Sequence, residues 1–222
     1  MRSKLYIIKK LIVLTLLLAG VASALQAQTK KKQATDILNR VAENIEKNMP
    51  MKAVFSTEIY ENNKLSFRDR GNILVDRNMF TLSTSTSKIW FDGKTQHTYI
   101  IDNDEVTIGE PTLEEINSIN PYTLINLHKH GYKISFTGLF SADKNIDLIE
   151  LTDSTSKKEI RTIQIYVDKN SNMPVKIVAV QRNEKIKTVI DIDSYQSKVK
   201  TSKEDFTFNK EDYKTAEIID IR

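Results

Sequence analysis

The sequence predicts an α+β fold: a curved antiparallel sheet of about ten strands, shaped as an open half-barrel and covered by three helices that form a lid. One early segment repeats apolar residues at three-and-four spacing. Most of the remaining chain alternates apolar and polar residues in short runs. The runs are separated by turn residues too few to make the crossovers that parallel strands need.

Residues 1–27 read as a secretory signal peptide and residues 28–222 as a single domain. Arg2, Lys4, Lys9 and Lys10 precede the apolar run Leu11 to Ala22. That run falls short of the ~20 residues that cross a bilayer. Ala22-Ser23-Ala24 and Leu25-Gln26-Ala27 follow, so cleavage is expected near Ala24 or Ala27. The chain has 33 basic and 29 acidic residues, and setting aside the four basic residues of the signal leaves 29 against 29. The formal charge of +4 therefore belongs to the export segment and gives no reason to expect a nucleic-acid partner. The chain contains no cysteine, which removes disulfides, thiolate metal sites, thiol catalysis and lipid attachment from consideration. Stability has to come from packing, and no Gly/Pro/Ser-rich linker divides the chain.

Lys30-Lys31-Lys32 reads as a solvated leader. Ile37, Leu38, Val41, Ala42 and Ile45 then give one face of an amphipathic helix over 34–48, with Thr35 or Asp36 placed to cap its first turn and Pro50 ending it. From Lys52 the period changes to two, starting with Ala53, Phe55, Thr57 and Ile59 on one face. Strand runs follow at Leu65–Val75, Met79–Ser83, Lys88–Phe91, His97–Ile101 and Glu105–Ile108. Asn62-Asn63, Asp76-Arg77-Asn78, Asp92-Gly93 and Asp102-Asn103-Asp104 supply hairpin turn chemistry between them. Pro111 breaks the pattern. Thr112-Leu113-Glu114-Glu115-Ile116 resembles a capping-box helix start, and Pro121 opens a second short helix before Gly131. Strands resume at Tyr132–Phe136, Ile146–Leu151, Ile160–Val167, Val175–Val180 and Ile186–Ile192. Tyr132, Ile134, Phe136 and Ile163, Ile165, Val167 leave one apolar face per strand, the face the helices would cover.

No catalytic constellation emerges. His97, His128 and His130 lie near Asp92, Asp102 and Asp104 only loosely, and no metalloprotease, nucleophile-elbow or paired-carboxylate spacing accompanies them. The expectation is a protein that is not an enzyme and uses neither metal nor cofactor.

Several segments carry a family likeness: the first helix followed by Ala53-Val54-Phe55; Gly71-Asn72-Ile73-Leu74-Val75-Asp76-Arg77 with Phe80; Trp90-Phe91-Asp92-Gly93-Lys94-Thr95 with Tyr99; Asn120-Pro121; and the tail Asp205-Phe206-Thr207-Phe208. In their order and spacing the chain resembles the periplasmic outer-membrane lipoprotein carriers of the LolA type, over essentially all of residues 28–222. That resemblance implies a periplasmic chaperone, a monomer, that takes acylated lipoproteins from an inner-membrane lipoprotein-releasing ABC transporter to an outer-membrane acceptor. A LolA-fold binding or adaptor protein for another amphiphile or a protein partner is the alternative. It implies a lid latch at Arg77, although Asn78 stands where the family arginine commonly precedes proline. The candidate apolar cavity comprises Phe55, Ile59, Ile73, Val75, Phe80, Leu82, Trp90, Tyr99, Ile134, Phe136, Ile163 and Ile165 on the sheet, with Val41, Ile45, Leu124 and Leu127 on the helices.

Overall fold

The structure, a computed structural model, describes residues 28–112, 115–116, 131–139 and 145–222. The predicted signal segment, most of the two short helices after Pro111, and with them Leu124, Leu127, His128 and His130 lie outside the described residues. Helix α1 spans 28–48, and its periodic residues Ile37, Leu38, Val41 and Ile45 are buried while Asn39, Arg40, Glu43, Glu46 and Lys47 face solvent. It starts earlier than its apolar stripe. Lys30–Lys32 are exposed helical residues rather than a leader, and Thr35 does not cap: its hydroxyl donates to the Lys31 carbonyl at 2.9 Å from within the helix. The apolar period had marked only the turns that touch the sheet.

Twelve strands among the described residues form one open sheet. In chain order these are β1 (Met51–Glu61), β2 (Lys64–Asp76), β3 (Met79–Ser83), β4 (Ser87–Phe91), β5 (Gln96–Ile100), β6 (Glu105–Gly109), β7 (Tyr132–Leu139), β8 (Ile146–Asp153), β9 (Ile160–Asp168), β10 (Met173–Gln181), β11 (Ile186–Ser197) and β12 (Glu217–Asp220). Their spatial order is β12-β6-β5-β4-β3-β2-β1-β11-β10-β9-β8-β7, so β12 and β7 are edges that do not meet. Pairing is antiparallel as expected, with one exception that turn chemistry did not reveal: β12 runs parallel to β6. Tight turns hold the hairpins, and Asn62 and Asn63 both take the left-handed conformation that a two-residue connection requires.

Residues paired across neighbouring strands share a face, so the register separates the two sides of the sheet. One side carries the rows Met51-Val75-Phe80-Phe91-Gln96-Gly109 and Ala53-Ile73-Leu82-Ile89-Thr98-Thr107-Ile219. The other carries Lys52-Leu74-Thr81-Trp90-His97-Ile108. On the first side α1 packs over the β7–β11 half, where Leu38, Val41, Ile149, Leu151, Ile163 and Ile165 are fully buried together. A side chain of this kind contributes about 1.5–3 kcal/mol when fully buried. A second apolar cluster, Phe55, Ile73, Val75, Phe80, Ile89 and Phe91, occupies the β1–β4 half, and Ile116 packs against it. Gly71 lies opposite Phe55, and a Cβ there would stand 2.8 Å from both the Phe55 ring and the Ser83 carbonyl oxygen. Only glycine lets that ring approach the strand so closely.

After β11 the chain crosses the other side of the sheet as a strap. Lys198 N–H donates to Asn48 O at 2.9 Å, Phe206 is buried, and Glu217 N–H donates to Asp104 O at 2.9 Å where β12 begins. This long crossover is what permits the parallel β12–β6 pair.

Asp153, buried at the end of β8, accepts from Thr155 N–H at 2.9 Å, Thr155 Oγ1 at 2.6 Å, Lys158 N–H at 3.2 Å and the Arg182 guanidinium. The Thr155 hydroxyl, the Thr155 and Lys158 amides and Arg182 together outweigh burial and lower its carboxyl from 3.8 to about 2. A depressed carboxylate stabilises the fold above its unfolded pKa and ceases to do so as pH falls through its folded one. The denaturation midpoint is therefore expected to drop as pH is taken from 3.8 towards about 2, and Asp153→Asn should flatten that dependence in a pH series of urea melts.

Candidate functional site

The apolar side of the sheet is the candidate binding face, and its two halves differ. Under α1, the candidates Val41, Ile45, Ile134, Ile163 and Ile165 belong to one buried helix–sheet cluster, with Phe136 partly buried against it. Across β1–β4, Phe55, Ile73, Val75 and Phe80, with Leu82 alongside, form the second cluster. Ile59 continues that face along β1, paired with Phe67 of β2. Beyond β4 the rows turn polar at Gln96, Thr98 and Thr107. A small cavity of about 270 Å³ sits there between Gln96, Thr98, Thr107, Pro111, Glu115 and Ile221. Gln96 Nε2 donates to Thr98 Oγ1 at 3.0 Å, and its buried Oε1 meets no donor among the described residues.

The segment after Pro111 begins as the sequence indicated. Glu115 accepts from Thr112 N–H at 2.7 Å and from Thr112 Oγ1 at 2.8 Å, while Glu115 N–H donates back to Thr112 Oγ1 at 3.3 Å. The Thr112 amide lowers the Glu115 carboxyl below its ordinary value, as expected of a charged cap. This reciprocal pair directs Ile116 onto the Phe80 and Phe91 cluster.

Two candidates lie on the opposite side. Trp90 pairs with Thr81 and His97 in the other row, and the strap covers it: its ring is 5.4 Å from those of Phe208 and Tyr213. Tyr99 packs on Tyr213 at 4.7 Å and donates to Asp104 at 3.0 Å. The run Ile89-Trp90-Phe91 is apolar on both sides because both sides are covered, so its pattern could not assign Trp90 to a face. The tail motif Asp205-Phe206-Thr207-Phe208 was the available signal for a second cover. His97 stacks on Phe208 at 5.1 Å, and burial lowers its pKa. A groove of about 620 Å³ runs between strap and sheet, walled by Lys52, Leu74, Lys88, Trp90, Asp212 and Tyr213.

Arg77 occupies the β2–β3 turn in a left-handed conformation, φ 55°. Its N–H donates to Met49 Sδ at 3.2 Å, tying the turn to the exit of α1. The side chain is exposed and makes no hydrogen bond or ion pair with the described residues.

Among the described residues no group of His, Asp and Glu is arranged to hold a metal, and no helix is long and apolar enough to cross a membrane. An open antiparallel sheet with one apolar cluster under α1 and a second against which Ile116 packs defines an α+β protein of the half-barrel kind. The chain belongs to the family described as outer membrane lipoprotein carrier protein LolA, whose model matches residues 24–181. Among curated proteins none matches it.

Solved structures align with the chain at low identity. An uncharacterized conserved protein from Thermus thermophilus aligns with a TM-score of 0.51 at 8% identity, over 82% of this chain and 98% of that one. A DUF1329 family protein from Desulfovibrio piger gives 0.49 at 12% identity, over 80% and 97% of the two chains. A putative outer membrane lipoprotein-sorting protein domain from Vibrio parahaemolyticus gives 0.46 at 10%, over 83% and 99%.

Proposed function

We propose that this protein is a periplasmic carrier that holds the acyl chains of lipoproteins against the β1–β4 half of its apolar face and moves them between the inner and outer membranes. The observation that carries this reading is the second apolar cluster, Phe55, Ile73, Val75, Phe80, Ile89 and Phe91, on an open sheet in a chain of the LolA family. The need for such a face follows from the cargo. Each acyl CH₂ exposed to water costs about 0.8 kcal/mol, so a chain of ordinary fatty-acid length cannot leave a bilayer at a useful rate without an apolar surface to receive it. A carrier also has to release what it binds, which requires a closed empty state that competes with cargo. The capped segment carrying Ile116 supplies a cover for that state, and Arg77 is the residue assigned to latch it.

The filled contact beneath α1 supports a second reading, that of a binding protein for a smaller amphiphile, because it leaves only part of the face for a ligand. Native mass spectrometry of protein purified from its own periplasm distinguishes the two. A bound triacylated lipoprotein mass is expected; a single-chain amphiphile favours the second reading, and protein that takes up no acyl chain at all ends both. Arg77→Leu should still accept lipoprotein from inner-membrane vesicles but pass several-fold less to outer membranes in a transfer assay. Undiminished transfer removes the latch from the scheme.

A further inference from the structure

One corner of the sheet gathers exposed lysines beside exposed apolar side chains. That corner comprises the β1–β2 turn, the β8–β9 loop and the β10–β11 turn, joined by hydrogen bonds from Asn62 N–H to Lys185 O at 2.8 Å, from Arg182 N–H to Glu159 O at 2.8 Å and from Arg182 Nε to Lys158 O at 3.0 Å, while the β3–β4 turn and the β5–β6 turn with Asp102 and Asp104 continue the same end of the sheet beyond it. Most acids there are engaged: Asp153 with Arg182, Glu184 with Arg161, and Glu159 with Gln181, leaving Glu61 opposite Lys64. Lys64, Lys157 and Lys185 are exposed and enter no ion pair with the described residues. Beside them on the β1–β2 hairpin, Leu65 is 46% and Phe67 40% exposed, two of the few large apolar side chains left in solvent.

We propose that the rim of Lys64, Lys157, Lys185, Leu65 and Phe67 is the surface this protein lays against an anionic membrane. The lysines meet lipid phosphates, and Leu65 and Phe67 enter the headgroup layer. Unpaired lysines on three separate turns suit a diffuse negative surface, since flexible ammonium groups need no fixed partner geometry there. A protein partner fits less well, because lysine is depleted in protein interfaces, whose centres are built from aromatic anchors seated in pockets. Phe67 pairs with Ile59 on the apolar side of the sheet, so a docked rim places the lip of the binding face at the bilayer. The inference takes its purpose from the carrier reading, but vesicle binding is measured without cargo, so each fails separately.

The test is cosedimentation of the purified protein with phosphatidylcholine vesicles containing about one third phosphatidylglycerol, and with phosphatidylcholine alone. Binding to the anionic vesicles is expected to be at least about tenfold stronger and to fall steeply with salt. Each lysine near the surface is worth about fivefold, so Lys64→Glu/Lys185→Glu should lose at least about tenfold. Lys47→Glu/Lys94→Glu, the same charge change at the other end, should leave binding unchanged. Thermal melts confirm that each variant is folded, and Lys157→Glu alone, expected to lose about fivefold, serves if the double variant is not. Equal binding to both vesicle types, no binding at low salt, or an equal loss from Lys47→Glu/Lys94→Glu overturns the proposal.

Discussion

Phe80→Ala is expected to lower the stability of the protein by about 3–5 kcal/mol, the range for removing a fully buried aromatic ring. Phe80 is 1% exposed, stands between Val75 and Phe91 in its row, and has its ring 5.4 Å from that of Phe91 at a 39° tilt. Tilted ring pairs of this kind add about 0.5–1.5 kcal/mol beyond burial. The measurement is the shift in free energy of urea unfolding at constant slope. It also bears on function, because a ring packed on all sides loses its full set of contacts when cut back, whereas one bordering open space has fewer to lose. A cost below about 1 kcal/mol would mean that Phe80 borders a void. The full cost would mean that Phe80 is packed on all sides.

Phe206→Ala should have an effect of similar size, about 3–5 kcal/mol, for a different structural reason. Phe206 is 1% exposed and sits in the strap beside Asp205, whose carbonyl accepts from Thr81 Oγ1 on β3. Its loss loosens the segment that brings Phe208 and Tyr213 onto Trp90 and aligns β12 with β6. Trp90 is the only tryptophan in the chain, so its fluorescence reports the strap directly. A red-shifted emission below the unfolding transition is expected in Phe206→Ala, with none in Phe80→Ala, which acts on the other side of the sheet. Emission unchanged from the parent protein would show that Phe208 and Tyr213 hold the strap without Phe206.

The local code was readable wherever one residue type forces one geometry. Asn62-Asn63 had to turn, Thr112 and Glu115 had to cap, and Tyr132, Ile134 and Phe136 had to share a face once Lys133 and Ser135 stood between them. The apolar stripe of α1 likewise marked its buried face, though not its start, since Lys30–Lys32 touch nothing apolar and so leave no periodic trace. Of the binding-face candidates, Phe55, Ile73, Val75, Phe80, Ile134, Ile163 and Ile165 are buried on the apolar side. Trp90 and Tyr99 lie on the other side: β4 is apolar on both sides and offers no contrast, and in β5 it is the polar Gln96 and Thr98 that share the face of Phe91 and Ile89 while Tyr99 packs under the strap. The strand β12 escaped for a related reason. Its four residues Glu217–Asp220 are too short to show a period, and its partner β6 lies far back in the chain.

By itself, then, the order of apolar and polar residues determined the α+β class, the strands and their turns and the helix stripe, because each depends on neighbours within a few positions. Which side of the sheet Trp90 faces and which half α1 covers were decided only when the chain closed on itself. Those outcomes follow from what covers each face. The covers, α1 on one side and the strap on the other, come from segments distant in sequence, and no local pattern records where they land.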